Sequence, residues 1–134
     1  MAKAKAKTSF HQVEELMAKK TGILSKAQAL TTMGLPETAQ PLWASAASYE
    51  ERIASLLDAH EESLEAAVHR ISAASCYQKA GDPSRATNLY RAALAGPLRD
   101  ITRNEVEEML AECLAILLDT SPRKTVDVLA SPDE

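Results

Sequence analysis

At 134 residues with a formal charge of −4, the chain is the length of one domain and can bury a continuous core if its helices lie side by side. So modest a charge argues against a general nucleic-acid binder, which needs a basic face to neutralise phosphates. Aromatics are 4% of the chain, so small side chains must close the core, and abundant Ala with little Val/Ile/Thr alternation favours helix on helix over sheet.

The first seven residues alternate Ala with Lys3, Lys5 and Lys7 and have no apolar face. Residues 1–8 are therefore expected to form a disordered lysine-rich tail that aids solubility or tethers the chain to nucleic acid or an acidic surface. No apolar run approaches the ~20 residues that span a bilayer. The lysine-rich start lacks the apolar stretch of a signal peptide, so a cytoplasmic protein without a membrane span is expected. Cys76 and Cys113 are the only thiols, and as a lone pair in apolar helical stretches they read as reduced core residues.

From Ser9 to Met33 the residues Phe10, Val13, Met17, Leu24, Ala27 and Leu30 keep helical spacing. Ser9 can cap this helix, Thr21 and Gly22 can bend it into two, and Gly34 closes it. Pro36 suits the first turn of the next helix, whereas Pro41 would crowd a helix already begun, so a kink or a late start near Pro41 is expected. Tyr49 to Ala80 contains neither Gly nor Pro. With Ser48 and Glu51 spaced as a capping box, it reads as one helix of about 30 residues. Asp58 and Glu61 have the same spacing, and a break near Asp58 is the competing reading.

Gly81-Asp82-Pro83 ends that helix and starts another, with Asp82 as cap, that reaches Ala95 before Gly96-Pro97. A further helix is expected over Asp100–Leu118. A short last one opens at Ser121-Pro122 and runs to Ala130, with 131–134 frayed. The ordered domain is thus 9–130.

Two segments repeat. Gly34-x-Pro36-x-x-Ala39-x-x-Leu42-Trp43-x-x-Ala46 matches Gly81-x-Pro83-x-x-Ala86-x-x-Leu89-Tyr90-x-x-Ala93 at an offset of 47, and Ser121-Pro122-x-x-Thr125-x-x-Val128-Leu129 is a weaker third copy. The middle copy, with Ala74, Tyr77, Gly81, Ala86, Tyr90, Ala93 and Pro97, resembles the tetratricopeptide repeat. The likeness is good over 67–98, moderate over 20–47 and poor from Val106. Arg70 and Leu30 stand where the family has aromatics, and the spacings exceed the family's.

The resemblance implies an all-α fold of antiparallel helix pairs stacked as a short solenoid, in which the first helix of each pair lines a concave groove. The lining residues would be Thr21, Leu24, Gln28 and Thr31, then Val68, Ile71, Ser75, Gln78 and Lys79, then Glu107, Leu110, Leu114, Leu117 and Leu118. No lysine- and asparagine-rich clamp for acidic chaperone C-termini is present. The implied role is an adaptor or chaperone-like module that binds an apolar or amphipathic peptide or helix of another protein. Alternatively, Leu110, Leu114, Leu117 and Leu118 are core beneath a last helix, or the end faces of the array form a homodimer or larger scaffold.

Enzymatic chemistry has little footing. Asp58, His60, Glu61, Glu62, Glu65 and His69 are the best metal-like grouping, without the His-Glu-x-x-His or multi-helix Glu-x-x-His spacing of metal enzymes. No Gly-x-Ser-x-Gly, phosphate-binding glycine loop or Cys-x-x-Cys occurs. The sequence therefore predicts a non-enzyme without cofactor or metal.

Overall fold

In the computed structural model, residues 2–119 are described, with side chains from residue 10 onward. Among them are five α-helices and no strand: α1 (Ala2–Thr32), α2 (Pro36–Ala59), α3 (Ser63–Lys79), α4 (Pro83–Leu94) and α5 (Asp100–Leu118). Each helix packs against the next in chain order.

The first three connections share one geometry. After α1 the amide of Gly34 donates to Thr31 O and that of Leu35 to Leu30 O. After α2, Glu61 and Glu62 donate to Asp58 O and Leu57 O, and after α3, Gly81 and Asp82 donate to Gln78 O and Tyr77 O. This paired pattern is the Schellman motif, which satisfies the last carbonyls of a helix and needs a left-handed residue just past its end. Gly34 (φ 81°), Glu61 (φ 61°) and Gly81 (φ 82°) supply it. In all three the next helix begins three residues after the C-cap, at Pro36, Ser63 and Pro83. Asp82 caps α4 by accepting from the Arg85 amide at 3.1 Å.

The expected single helix over Tyr49–Ala80 is therefore two, divided at 60–62, and Ser48 and Glu51 lie inside α2 instead of capping it. The division is set by a backbone turn in which Glu61 does a glycine's work. The division expected at Thr21-Gly22 does not occur: α1 runs on unbroken through both residues, with the Thr21 hydroxyl donating to Met17 O at 2.8 Å within the helix. Nor does α2 start late: it begins at Pro36 and passes through Pro41, whose missing N–H leaves only the Glu37 carbonyl without its helical donor. α1 begins at Ala2 and so takes in the Ala–Lys segment and Ser9, both residue types being strong helix formers. The expected helix over 121–130 and the frayed 131–134 lie outside the described residues.

Alanine does close the core. Ala27, Ala39, Ala46, Ala47, Ala54, Ala66, Ala67, Ala73, Ala74, Ala86 and Ala93 are all buried, with Trp43, Ile53, Leu57, Tyr77, Tyr90, Val106 and Cys113 filling between them. On α2 the buried positions 39, 43, 46, 47, 50, 53, 54 and 57 form one helical stripe. The α4–α5 connection is longer than the others, and Arg103 of α5 reaches back to donate to Leu94 O at 2.7 Å and Gly96 O at 3.1 Å, capping α4 from outside.

Candidate partner-binding groove

Helix α1 buries Leu16 and Ala27. By helical spacing Thr21, Leu24, Ser25, Gln28 and Thr31 lie along one flank of that stripe. Leu24 is half-buried, and the other four are exposed. With Trp43 of α2 and Lys79 of α3 these residues line two adjoining clefts. One, of about 410 Å³, is bounded by Thr21, Leu24, Ser25, Gln28, Trp43 and Lys79. The other, of about 270 Å³, adds Thr31 and Pro36. They share Gln28, Trp43 and Lys79 and form one groove. Thr21 to Thr31 spans about 15 Å at the helical rise, the length of four or five residues of extended peptide.

Two contacts shape the groove. The Trp43 indole donates Nε1–H to Thr31 Oγ1 at 3.3 Å, while Thr31 Oγ1 donates to Ala27 O at 2.8 Å, which locks the ring against α1. The Lys79 ammonium lies 4.5 Å from the Trp43 ring centroid, a cation–π arrangement that holds a cation at the cleft's edge. Lys79 is the one charged residue lining either cleft. The lining is more polar than the apolar groove expected from the sequence, with Leu24, Trp43 and Pro36 as its apolar members.

The other expected lining residues are distributed differently. Val68 is 46% exposed, and helical spacing places it with Ser75 and Lys79 on one face of α3. Ile71 is half-buried against the main core. Gln78 is engaged inside the fold, accepting a hydrogen bond from the Tyr90 hydroxyl. On α5, Leu110, Leu114 and Leu117 are half-buried and Glu107 and Leu118 exposed, and none of them lines either α1–α3 cleft. Trp43, by contrast, was not among the expected lining residues. Its only sequence signal is the alignment that pairs it with Tyr90 as a core position.

A third cleft, of about 450 Å³, lies on the other flank of α1, bounded by Gln12, Glu15, Leu16, Lys19, Arg52, Ser55 and Leu56. It mixes both charge signs and was not foreseen from the sequence. Between α1 and the end of α2, His60 stacks on Phe10 with ring centroids 4.3 Å apart.

Glu50 is 3% exposed and joins three helices, with its carboxylate 2.8 Å from His69 Nδ1 of α3 and 3.5 Å from Lys20 Nζ of α1. The neighbouring Glu51 accepts from the Tyr77 hydroxyl at 2.8 Å, and Arg70 pairs with Asp58. The acidic and histidine residues singled out in the sequence are thus partly spent on helix-to-helix pairing, and the described residues hold no cluster of three or more His, Cys, Asp or Glu able to bind a metal ion. Burial, aided by the nearby Glu50 carboxylate, pushes the Cys76 thiol up to about 11, and burial also raises the Cys113 thiol. Both thiols are free, buried and protonated at neutral pH, so they lack the thiolate character of a nucleophile.

No described helix is long and apolar enough to cross a membrane. Compared with models of protein families, with curated proteins and with solved structures, the chain finds no significant match.

Proposed function

We propose that this chain is a protein-binding module of tetratricopeptide-like helix pairs, an adaptor or chaperone-like protein of the cytoplasm and not an enzyme. It takes a short amphipathic peptide segment of another protein in the groove between α1 and α3. The observation that carries this reading is the cleft of about 410 Å³ beside Trp43, where exposed Ser25 and Gln28 and the Lys79 ammonium surround Leu24. A few convergent polar groups around an apolar centre are what a peptide site needs to fix orientation and supply burial. Of the residues expected from the sequence, Leu24, Gln28, Val68, Ser75 and Lys79 are the contacts proposed.

Trp43 is the chain's single tryptophan and reports occupancy directly. Peptides selected from a displayed library against the full chain are titrated while its emission is followed. Binding shifts the emission, and Gln28→Arg, a change at an exposed position, weakens affinity about tenfold or more without moving the unfolding midpoint. Selected peptides that leave Trp43 emission unchanged and bind the variant equally well contradict the reading.

A further inference from the structure

The cleft on the other flank of α1 has an apolar floor and a charged rim. Leu16 is buried and Leu56 half-buried, and both pack with the buried side chains of Ile53 and Leu57. Glu15 and Lys19 of α1 lie one helical turn to either side of Leu16. Arg52 of α2 lies one turn before Leu56, and all three charged residues line the cleft and are exposed.

These charges are uncommitted. Glu15 precedes Lys19 by four residues, the order and spacing that favour an ion pair on a helix. Yet among the described residues neither Glu15, Lys19 nor Arg52 makes an ion pair or a side-chain hydrogen bond. Charged neighbours do pair, Lys20 with Glu50 and Asp58 with Arg70. Arg52 instead lies over the Tyr49 ring, its guanidinium carbon 5.5 Å from the centroid. A cation–π contact restrains that side chain without neutralising it. Two cations from two helices thus reach one cleft, and with Glu15 they leave its lining one net positive charge.

That lining specifies a ligand chemistry. A guanidinium fork matches a carboxylate, and Lys19 supplies a second cation beside it. One negative charge balances the lining, whereas a second would meet Glu15. The rest of the ligand must be apolar to lie on two leucines. The cleft volume of about 450 Å³ falls within the roughly 300–1,000 Å³ of small-molecule sites. Along α1, Gln12 to Lys19 spans about 10 Å at the helical rise.

We infer that this cleft is a second ligand site, for a small amphiphilic monocarboxylate. The carboxylate lies between Arg52 and Lys19, and the apolar body lies on Leu16 and Leu56. The cleft shares no lining residue with the α1–α3 groove, so the two flanks of α1 serve different ligands.

The test is titration of the isotope-labelled full chain with octanoate, followed by amide chemical shifts. Octanol, octanedioate and inorganic phosphate are the comparison probes. Octanoate saturates shifts over 12–19 and 52–56 at roughly millimolar concentration or below and leaves Trp43 emission unchanged. Arg52→Gln, at an exposed position, weakens octanoate about fivefold or more without moving the unfolding midpoint. Glu15→Gln tightens octanoate and narrows its advantage over octanedioate, because the opposing charge is gone. The inference is overturned by shifts that do not saturate or that centre elsewhere, or by wild-type affinity in either variant. Octanol or phosphate binding as tightly as octanoate overturns it as well.

Discussion

Glu61 holds a left-handed backbone at φ 61°, in a turn whose two counterparts carry glycine. A side chain there costs about 1 kcal/mol, so Glu61→Gly should stabilise the protein by about that amount in urea denaturation. Gly81→Ala should do the reverse and by more than Gly34→Ala. A Cβ at 81 meets the Gln40 side chain at 3.3 Å, whereas one at 34 meets open space. Glu50 is the second sensitive residue. Glu50→Ala leaves the Lys20 ammonium and the His69 ring without their shared acceptor and should cost about 3 kcal/mol, at the low end for a broken buried pair because both partners still reach solvent. Equal denaturation midpoints for wild type and variant would show the junction to be energetically idle.

Two buried acids give stability a pH dependence of definite sign. Burial raises Cys76 from 9.0 to about 11 and Tyr90 from 10.0 to about 12. Folding therefore favours the neutral forms, and unfolded chains lose their protons first. The contribution is fully present below pH 9 and is lost as pH rises through 11 and 12. The unfolding midpoint should be flat up to about pH 9 and decline above it, with Cys76→Ala softening the decline between 9 and 11. A midpoint that rises over that range would reverse the account.

At the scale of the element, α4 depends on its neighbour. It has 12 residues, short for a helix on its own, and the Arg103 guanidinium of α5 binds its last carbonyl, that of Leu94, and the Gly96 carbonyl just beyond it. Arg103→Ala should cost about 1.5 kcal/mol, since hydrogen bonds from charged donors are worth more than neutral ones and these two are part-buried. Amide exchange should quicken first over 92–96.

Helix limits were readable where a special residue stands at the limit. Gly34, Gly81-Asp82-Pro83 and Gly96-Pro97 mark their turns, and α5 occupies the expected Asp100–Leu118. The division between α2 and α3 was not readable as the preferred reading, because its left-handed residue is a glutamate and the apolar spacing runs through the turn in phase. That spacing combined buried Ile53 with exposed Leu64 and Val68, which pattern alone does not separate. Pro41 misled in the other direction, since the buried stripe of α2 outweighs one lost backbone bond.

For the whole molecule, helices that each pack on the next make a chain of local contacts. Successive helices from α1 to α4 share part-buried polar pairs, and the groove between α1 and α3 is set by the helix between them. Half of that groove was legible, because Thr21, Leu24, Gln28 and Thr31 share a flank by spacing alone. Trp43 at its floor and the use of Gln78 inside the fold were not, since both depend on how far apart α1 and α3 are held. The third cleft was hidden for the same reason, being built from residues 12–19 and 52–56, which only packing brings together.

The most direct measurement of the central claim is site-specific photo-crosslinking in cells that express the full chain. A photoreactive residue is placed at Gln28, in the groove, or at Gln12, in the cleft on the other flank of α1, and captured proteins are identified by mass spectrometry. The account predicts a discrete product from position 28 that is absent from position 12 and is reduced by Lys79→Glu. Crosslinks from position 12 alone, or from both positions equally, would contradict a partner seated between α1 and α3.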